Sequence, residues 1–125
     1  MSDQLDIKRQ LQQWAQAYGG SQFERLGYVG KDRLQRSEQP LGDTVPDRIE
    51  RIVQSMEAGS RWKEARVLRA EFFMGGLAES ERLTRLSRVG LRIGRSAYYA
   101  YLNAALAFVE GAVQQHAAGE AALVR

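Results

Sequence analysis

Hydrophobic positions recur at helical spacing in five stretches of the chain, and most stretches are bounded by a residue that starts or stops a helix. In residues 4–18, Leu5, Ile7, Leu11, Trp14, Ala15 and Tyr18 make an apolar face; Asp3 suits the N-cap and Gly19 with Gly20 the stop. In residues 44–58, Ile49, Ile52, Val53 and Met56 form the face. Pro46 fits the first turn, where a missing N–H costs nothing, Asp47 and Glu50 favour the helix dipole, and Gly59 ends the segment. A third helix opens at Ser60 as N-cap, buries Trp62, Ala65, Leu68, Phe72 and Phe73, and stops at Gly75 and Gly76. A fourth covers residues 79–89, with Leu83, Leu86 and Val89 inward and Arg82, Arg85 and Arg88 on another face at a spacing of three. Gly90 suits a turn with positive φ.

The fifth stretch predicts the longest helix. With Ser96 as N-cap, Tyr98, Leu102, Ala105, Leu106, Val109 and Val113 form one stripe, while Tyr99, Asn103 and Glu110 lie on the other side. Gly111 would permit the close approach of another helix, or a bend. Residues 114–125 are Ala-rich with weak periodicity and are expected to fray. Between the first two helices periodicity fails: residues 21–44 hold Gly27, Gly30, Pro40 and Gly42, with Phe23, Leu26, Tyr28, Val29 and Leu34 as anchors to the body. This stretch admits only a short helix near residues 22–26 or 31–36, and irregular segments of such length are usually functional or disordered. The expected fold is therefore all-α, about five helices in one domain. It divides into N-terminal helices and an irregular loop (1–60), a helix-turn-helix region (61–113) and a frayed tail (114–125).

Charge sharpens this picture. The formal net charge is only +3, but residues 61–95 carry nine Lys and Arg against four Asp and Glu, whereas residues 1–60 carry eight against nine. The positive excess thus lies over the short basic helix, the Gly- and Arg-containing turn and the start of the long helix, the order of elements in a DNA-binding helix-turn-helix. Arg92, Arg95, Ser96, Tyr99 and Asn103 would face the major groove, where Arg pairs bidentately with guanine and Asn with adenine. Arg82, Arg85 and Arg88 would contact phosphates. With about half of the nine basic residues of 61–95 facing DNA, four or five phosphate contacts correspond to a log–log salt slope of about −4. Read without DNA, the same pattern is a helical bundle with an Arg-rich solvated face.

Nothing else suggests chemistry. The chain has no Cys, which removes disulfides, thiolate zinc sites and Cys nucleophiles and fits a cytoplasmic protein. His116 is the only His and lacks partners at metal spacing; it reads as a surface residue. The pairs Glu79/Glu81 and Glu64/Glu71 read as a solvated face rather than a general acid and base. The Gly pairs lack the Lys-Ser/Thr of a phosphate loop. Trp14 and Trp62 read as core anchors, Tyr98 as core, Tyr99 as exposed and Tyr101 as border. No apolar run reaches transmembrane length, and the start of the chain is not a signal peptide. No enzyme, cofactor or metal is expected.

Several segments together carry a family resemblance: the early Trp14, the Gly-rich irregular segment, DRIERI at 47–52, LRAEFFMGGL at 68–77, RSAYYAYL at 95–102 and FVEG at 108–111. Over roughly residues 5–113 the chain resembles phage late-gene antitermination proteins of the Q type, in their small zinc-free branch. Phe72 or Phe73 stands where that branch and sigma-factor DNA-binding domains have Tyr, and the cysteines of the zinc branch are missing. The resemblance implies a sigma-region-4-like helix-turn-helix that binds double-stranded DNA near a late promoter. It implies loading onto RNA polymerase paused with its sigma factor, and read-through of terminators by narrowing of the RNA exit channel. A second copy bound to DNA would raise avidity. The first helix and residues 21–44 are the expected polymerase-facing parts. A conventional helix-turn-helix repressor or activator would share the DNA surface but need a symmetric dimer and a palindromic site.

Overall fold

The computed structural model describes residues 3–19 and 42–124, with side chains described over 6–19 and 42–115. Among these residues there are five α-helices and no strand: α1 (Asp3–Tyr18), α2 (Val45–Ala58), α3 (Trp62–Phe73), α4 (Glu79–Arg88) and α5 (Arg95–Val124). The expected all-α architecture is what forms. The irregular segment and its apolar anchors, almost all of residues 21–44, fall outside the described residues, as do the side chains of Leu5 and His116.

Local chemistry sets most helix ends. α2 starts in a capping box: the Thr44 hydroxyl accepts the Asp47 N–H at 3.3 Å and the Asp47 carboxylate accepts the Thr44 N–H at 3.1 Å, with Pro46 in the first turn. Asp47 also accepts the Tyr18 hydroxyl at 2.5 Å, so the end of α1 is tied to the start of α2. α1 stops at Gly19, whose N–H donates to the Ala15 carbonyl at 2.7 Å. A β-carbon there would fall 2.9 Å from the Phe73 ring, so only glycine lets this helix end rest on α3.

Two expected caps shift, the first by one residue and the second by two. α3 begins after Arg61, which makes no side-chain capping bond and pairs with Glu64 at 3.1 Å; Ser60 stands before the first turn, exposed. α5 begins at Arg95 because the Gly94 carbonyl accepts the Tyr98 N–H at 3.0 Å, which places Ser96 inside the helix rather than at its cap. α5 then continues to Val124, through the tail expected to fray. It runs through Gly111 on an exposed side where an added β-carbon would meet nothing within 4 Å, so among the described residues no helix approaches closely there.

α3 is the hub of the molecule and touches all four other helices. Residues 65–70 are buried without interruption, which is why its burial extends beyond one apolar face to Arg66 and Arg69. Around it pack Ile7, Leu11 and Trp14 of α1, Ile49, Val53 and Met56 of α2, Leu86 of α4, and Tyr98, Leu102, Ala105 and Val109 of α5. The Trp14 and Phe73 rings meet at 4.5 Å. Trp62 and Phe72 are only half-buried.

The interior also holds an ionic cluster. Arg69, 1% exposed, donates to Glu50 at 2.9 and 3.2 Å and to Glu57 at 2.6 and 3.0 Å. Glu50 additionally accepts the Trp14 indole N–H at 2.9 Å and the Gln54 amide at 2.8 Å. Burial alone would push the Glu50 carboxyl up, but Arg69 and the hydrogen bonds outweigh it and hold it below the ordinary carboxylate range. For Glu57 burial prevails over the pull of Arg69, and the carboxyl is pushed up. Among the described residues no buried side-chain polar atom lacks a partner. No helix among them is long and apolar enough to cross a membrane.

Candidate nucleic-acid interface

The candidate surface is built by α4, the segment 89–94 and the start of α5. α4 is polarised along its axis, with Glu79 and Glu81 in its first turn and Arg85 and Arg88 in its last, each complementing the helix dipole. Its C-terminus closes as a Schellman motif: the Leu91 N–H reaches the Leu86 carbonyl at 2.9 Å and the Gly90 N–H reaches Ser87 at 3.2 Å. Gly90 has φ +98°, the positive value its position predicts, and a side chain there would be strained. Leu86 and Leu91 are both buried, the apolar pair that accompanies this motif. The connection from α4 to α5 takes six residues, 89–94, longer than the three or four of a tight helix-turn-helix.

The structure divides the expected DNA contacts into two groups. Arg88, Arg92, Arg95, Ser96 and Asn103 are exposed. On α5, Ser96, Tyr99 and Asn103 follow one another at spacings of three and four and so share a face. Tyr99, expected to be exposed, is half-buried, and its hydroxyl donates to Glu79 at 3.2 Å. Arg95 is 76% exposed along its side chain, pairs with the same Glu79 at 3.2 Å, and lies over the Tyr99 ring at 5.9 Å.

Arg82 and Arg85 do not face outward, a correction to the sequence reading. Arg82 is 9% exposed. Its Nε donates to the Tyr98 hydroxyl at 3.0 Å and its Nη1 to the Leu77 carbonyl at 2.6 Å, with Glu71 at 3.5 Å. Tyr98, fully buried as expected, donates in turn to Glu71 at 2.6 Å. This network joins α3, α4 and α5. Burial and the bond to Glu71 push the Tyr98 hydroxyl well up, so it stays protonated and keeps donating. Arg85, 6% exposed, pairs with Glu81 one turn earlier at 3.2 Å. The spacing of three that aligned Arg82, Arg85 and Arg88 is too coarse to tell a solvent face from a seam between helices. The four glutamates read as a solvated face, Glu64, Glu71, Glu79 and Glu81, are partly exposed and each take an arginine partner.

No protein-family model, no curated protein and no solved structure matches this chain. The site therefore rests on its own geometry. Its outward chemistry is cationic and hydrogen-bonding: three exposed arginines beside Ser96 and Asn103. Among the described residues no group of three or more His, Cys, Asp and Glu could hold a metal ion.

Sequence reasoning missed Glu79, which engages two of the expected contacts, and Arg66. Arg66 is 5% exposed, and its Nη1 donates to the Val89 carbonyl at 2.8 Å. The one sequence signal for Arg66 is its position four residues after Trp62, the spacing at which a helical side chain covers an aromatic ring. Its guanidinium carbon lies 4.8 Å from the Trp62 ring centroid.

Proposed function

We propose that this protein is a non-enzymatic, double-stranded-DNA-binding transcription factor whose surface is the end of α4, residues 89–94 and the first turns of α5. The observation that carries the reading is the exposure of Arg88, Arg92, Arg95, Ser96 and Asn103 around one junction whose inner side is packed. Cations supply sequence-independent attraction to phosphates, and Arg and Asn supply base readout. With Arg82 and Arg85 internal, three exposed arginines predict a salt slope of about −3 rather than about −4.

Within that class we propose transcription antitermination. The supporting features are the residues that resemble the Q-type proteins, together with a modest set of exposed cations, which suits a protein that must leave its DNA site with RNA polymerase. In this reading the protein acts in the cytoplasm, binds a promoter-proximal element, joins polymerase paused with sigma factor, and lets it pass terminators by narrowing the RNA exit channel.

Purified transcription on two templates tests this, one with the binding element upstream of a terminator and one without it. Read-through on the first alone is the expected result. Altered initiation with normal termination would select a conventional repressor or activator. The DNA surface is tested separately: the double substitution Arg92→Ala with Arg95→Ala is expected to weaken binding at low salt and to reduce the salt slope by about 2. Unchanged affinity in that variant would overturn the assignment of the surface.

A further inference from the structure

The junction that carries the exposed arginines is held from behind by a residue that cannot itself reach DNA. The Schellman motif satisfies the Leu86 and Ser87 carbonyls, but the Val89 carbonyl at the C-cap has no backbone partner in it. Arg66 fills that role from α3, donating to Val89 at 2.8 Å. Gly90 lies against the same guanidinium: a β-carbon built there would be 3.9 Å from Arg66 Nη1. The Arg66 positive charge also sits at the negative end of the α4 dipole. Its position on the Trp62 ring restricts the side chain, so the donor is preorganised. Arg88 and Arg92 flank the bonded carbonyl by one residue and three residues.

We propose that Arg66 is a positioning residue for nucleic-acid binding: by clamping the Val89 carbonyl it fixes the turn from which Arg88 and Arg92 project. This rests on the DNA-binding reading above. Without the clamp the phosphate contacts still form, but the turn must be ordered on binding, and affinity falls. The number of phosphates neutralised stays the same. A lost positioning residue therefore lowers affinity at unchanged salt slope, whereas a lost phosphate contact lowers both.

The test measures DNA affinity against salt for the wild type, Arg66→Gln, Arg66→Lys and Arg88→Ala, well below the melting temperature of each variant. It adds amide hydrogen exchange at Gly90 and Leu91. For Arg66→Gln we expect affinity lower by about tenfold, the scale of one charge-assisted hydrogen bond lost from a buried acceptor. The salt slope should be unchanged and exchange at Gly90 and Leu91 faster. Arg66→Lys, which keeps a charged donor, should recover part of both losses and carries the test if Arg66→Gln does not fold. Arg88→Ala should reduce the slope by about 1 with exchange unaltered.

Wild-type affinity and exchange in the Arg66 variants would overturn the proposal. So would a slope reduced by one in Arg66→Gln, which would make Arg66 a phosphate contact. If the wild type itself fails to bind DNA, the reading beneath has failed. The exchange rates then still decide whether Arg66 holds the turn.

Discussion

At the residue scale, the arginines of this chain divide by partner rather than by position in a periodic pattern. Arg69 is enclosed by two carboxylates, Arg66 by a carbonyl and an indole ring, and Arg82 by a carbonyl and a phenol, whereas Arg88 and Arg92 are exposed. Arg69 is the most consequential of these for stability. Replacing it with Met would remove the guanidinium that bonds both Glu50 and Glu57 in the interior. Breaking a buried ion pair from one side costs about 3–5 kcal/mol. We expect Arg69→Met to lose stability on that scale in urea unfolding. A loss below about 1 kcal/mol would mean that the two carboxylates find water or take up protons without penalty.

At the element scale, α4 is joined to the start of α5 as well as to α3. Glu79 holds both Arg95 and the Tyr99 hydroxyl, so two candidate DNA contacts are already engaged in the free protein. DNA binding through Arg95 must replace that pair. An exposed ion pair is worth about 0.2–1 kcal/mol, so Glu79→Gln is expected to tighten DNA binding by a few-fold. The gain should disappear in the Arg95→Ala background, because the coupling runs through Arg95. An equal gain in both backgrounds would instead make Glu79 a general source of repulsion. Much of this element-level geometry was legible beforehand: the helix order, the Pro46 first turn and the Gly90 turn follow from local residue chemistry. The shifted starts of α3 and α5 were not. Ser60 and Ser96 are each adequate caps, but the first helical bonds run to the Arg61 and Gly94 carbonyls instead.

At the scale of the whole molecule, stability responds to pH at both ends. Burial first, then the bond to Asp47, raises the Tyr18 hydroxyl from 10.0 to about 12. Its contribution is complete below the unfolded value of 10.0 and is lost as pH rises toward about 12. Tyr98 acts in the same direction. We expect urea midpoints to fall across this window while tyrosinate absorbance rises, and Tyr18→Phe to fall less, because it has no proton to lose. An equally steep decline in Tyr18→Phe would assign the alkaline transition elsewhere. In acid the carboxylates oppose one another. Glu50 and Asp47 are held low, so their contributions are lost as pH falls below their ordinary values of 4.5 and 3.8. Glu57 is raised, so its contribution is present in acid and is lost as pH climbs above 4.5.

The sequence by itself determined the helices, their order, most of their stops and the inward faces of α1, α2 and α5. Those features depend on residues three or four apart and on caps that act locally. Only the tertiary structure decided that α3 is the hub, that Arg66, Arg69 and Arg82 are interior, and that Glu79 engages Arg95 and Tyr99. A charged side chain is buried or exposed according to whether distant parts of the chain bring it a partner, and helical periodicity carries no information about partners 12 to 27 residues away.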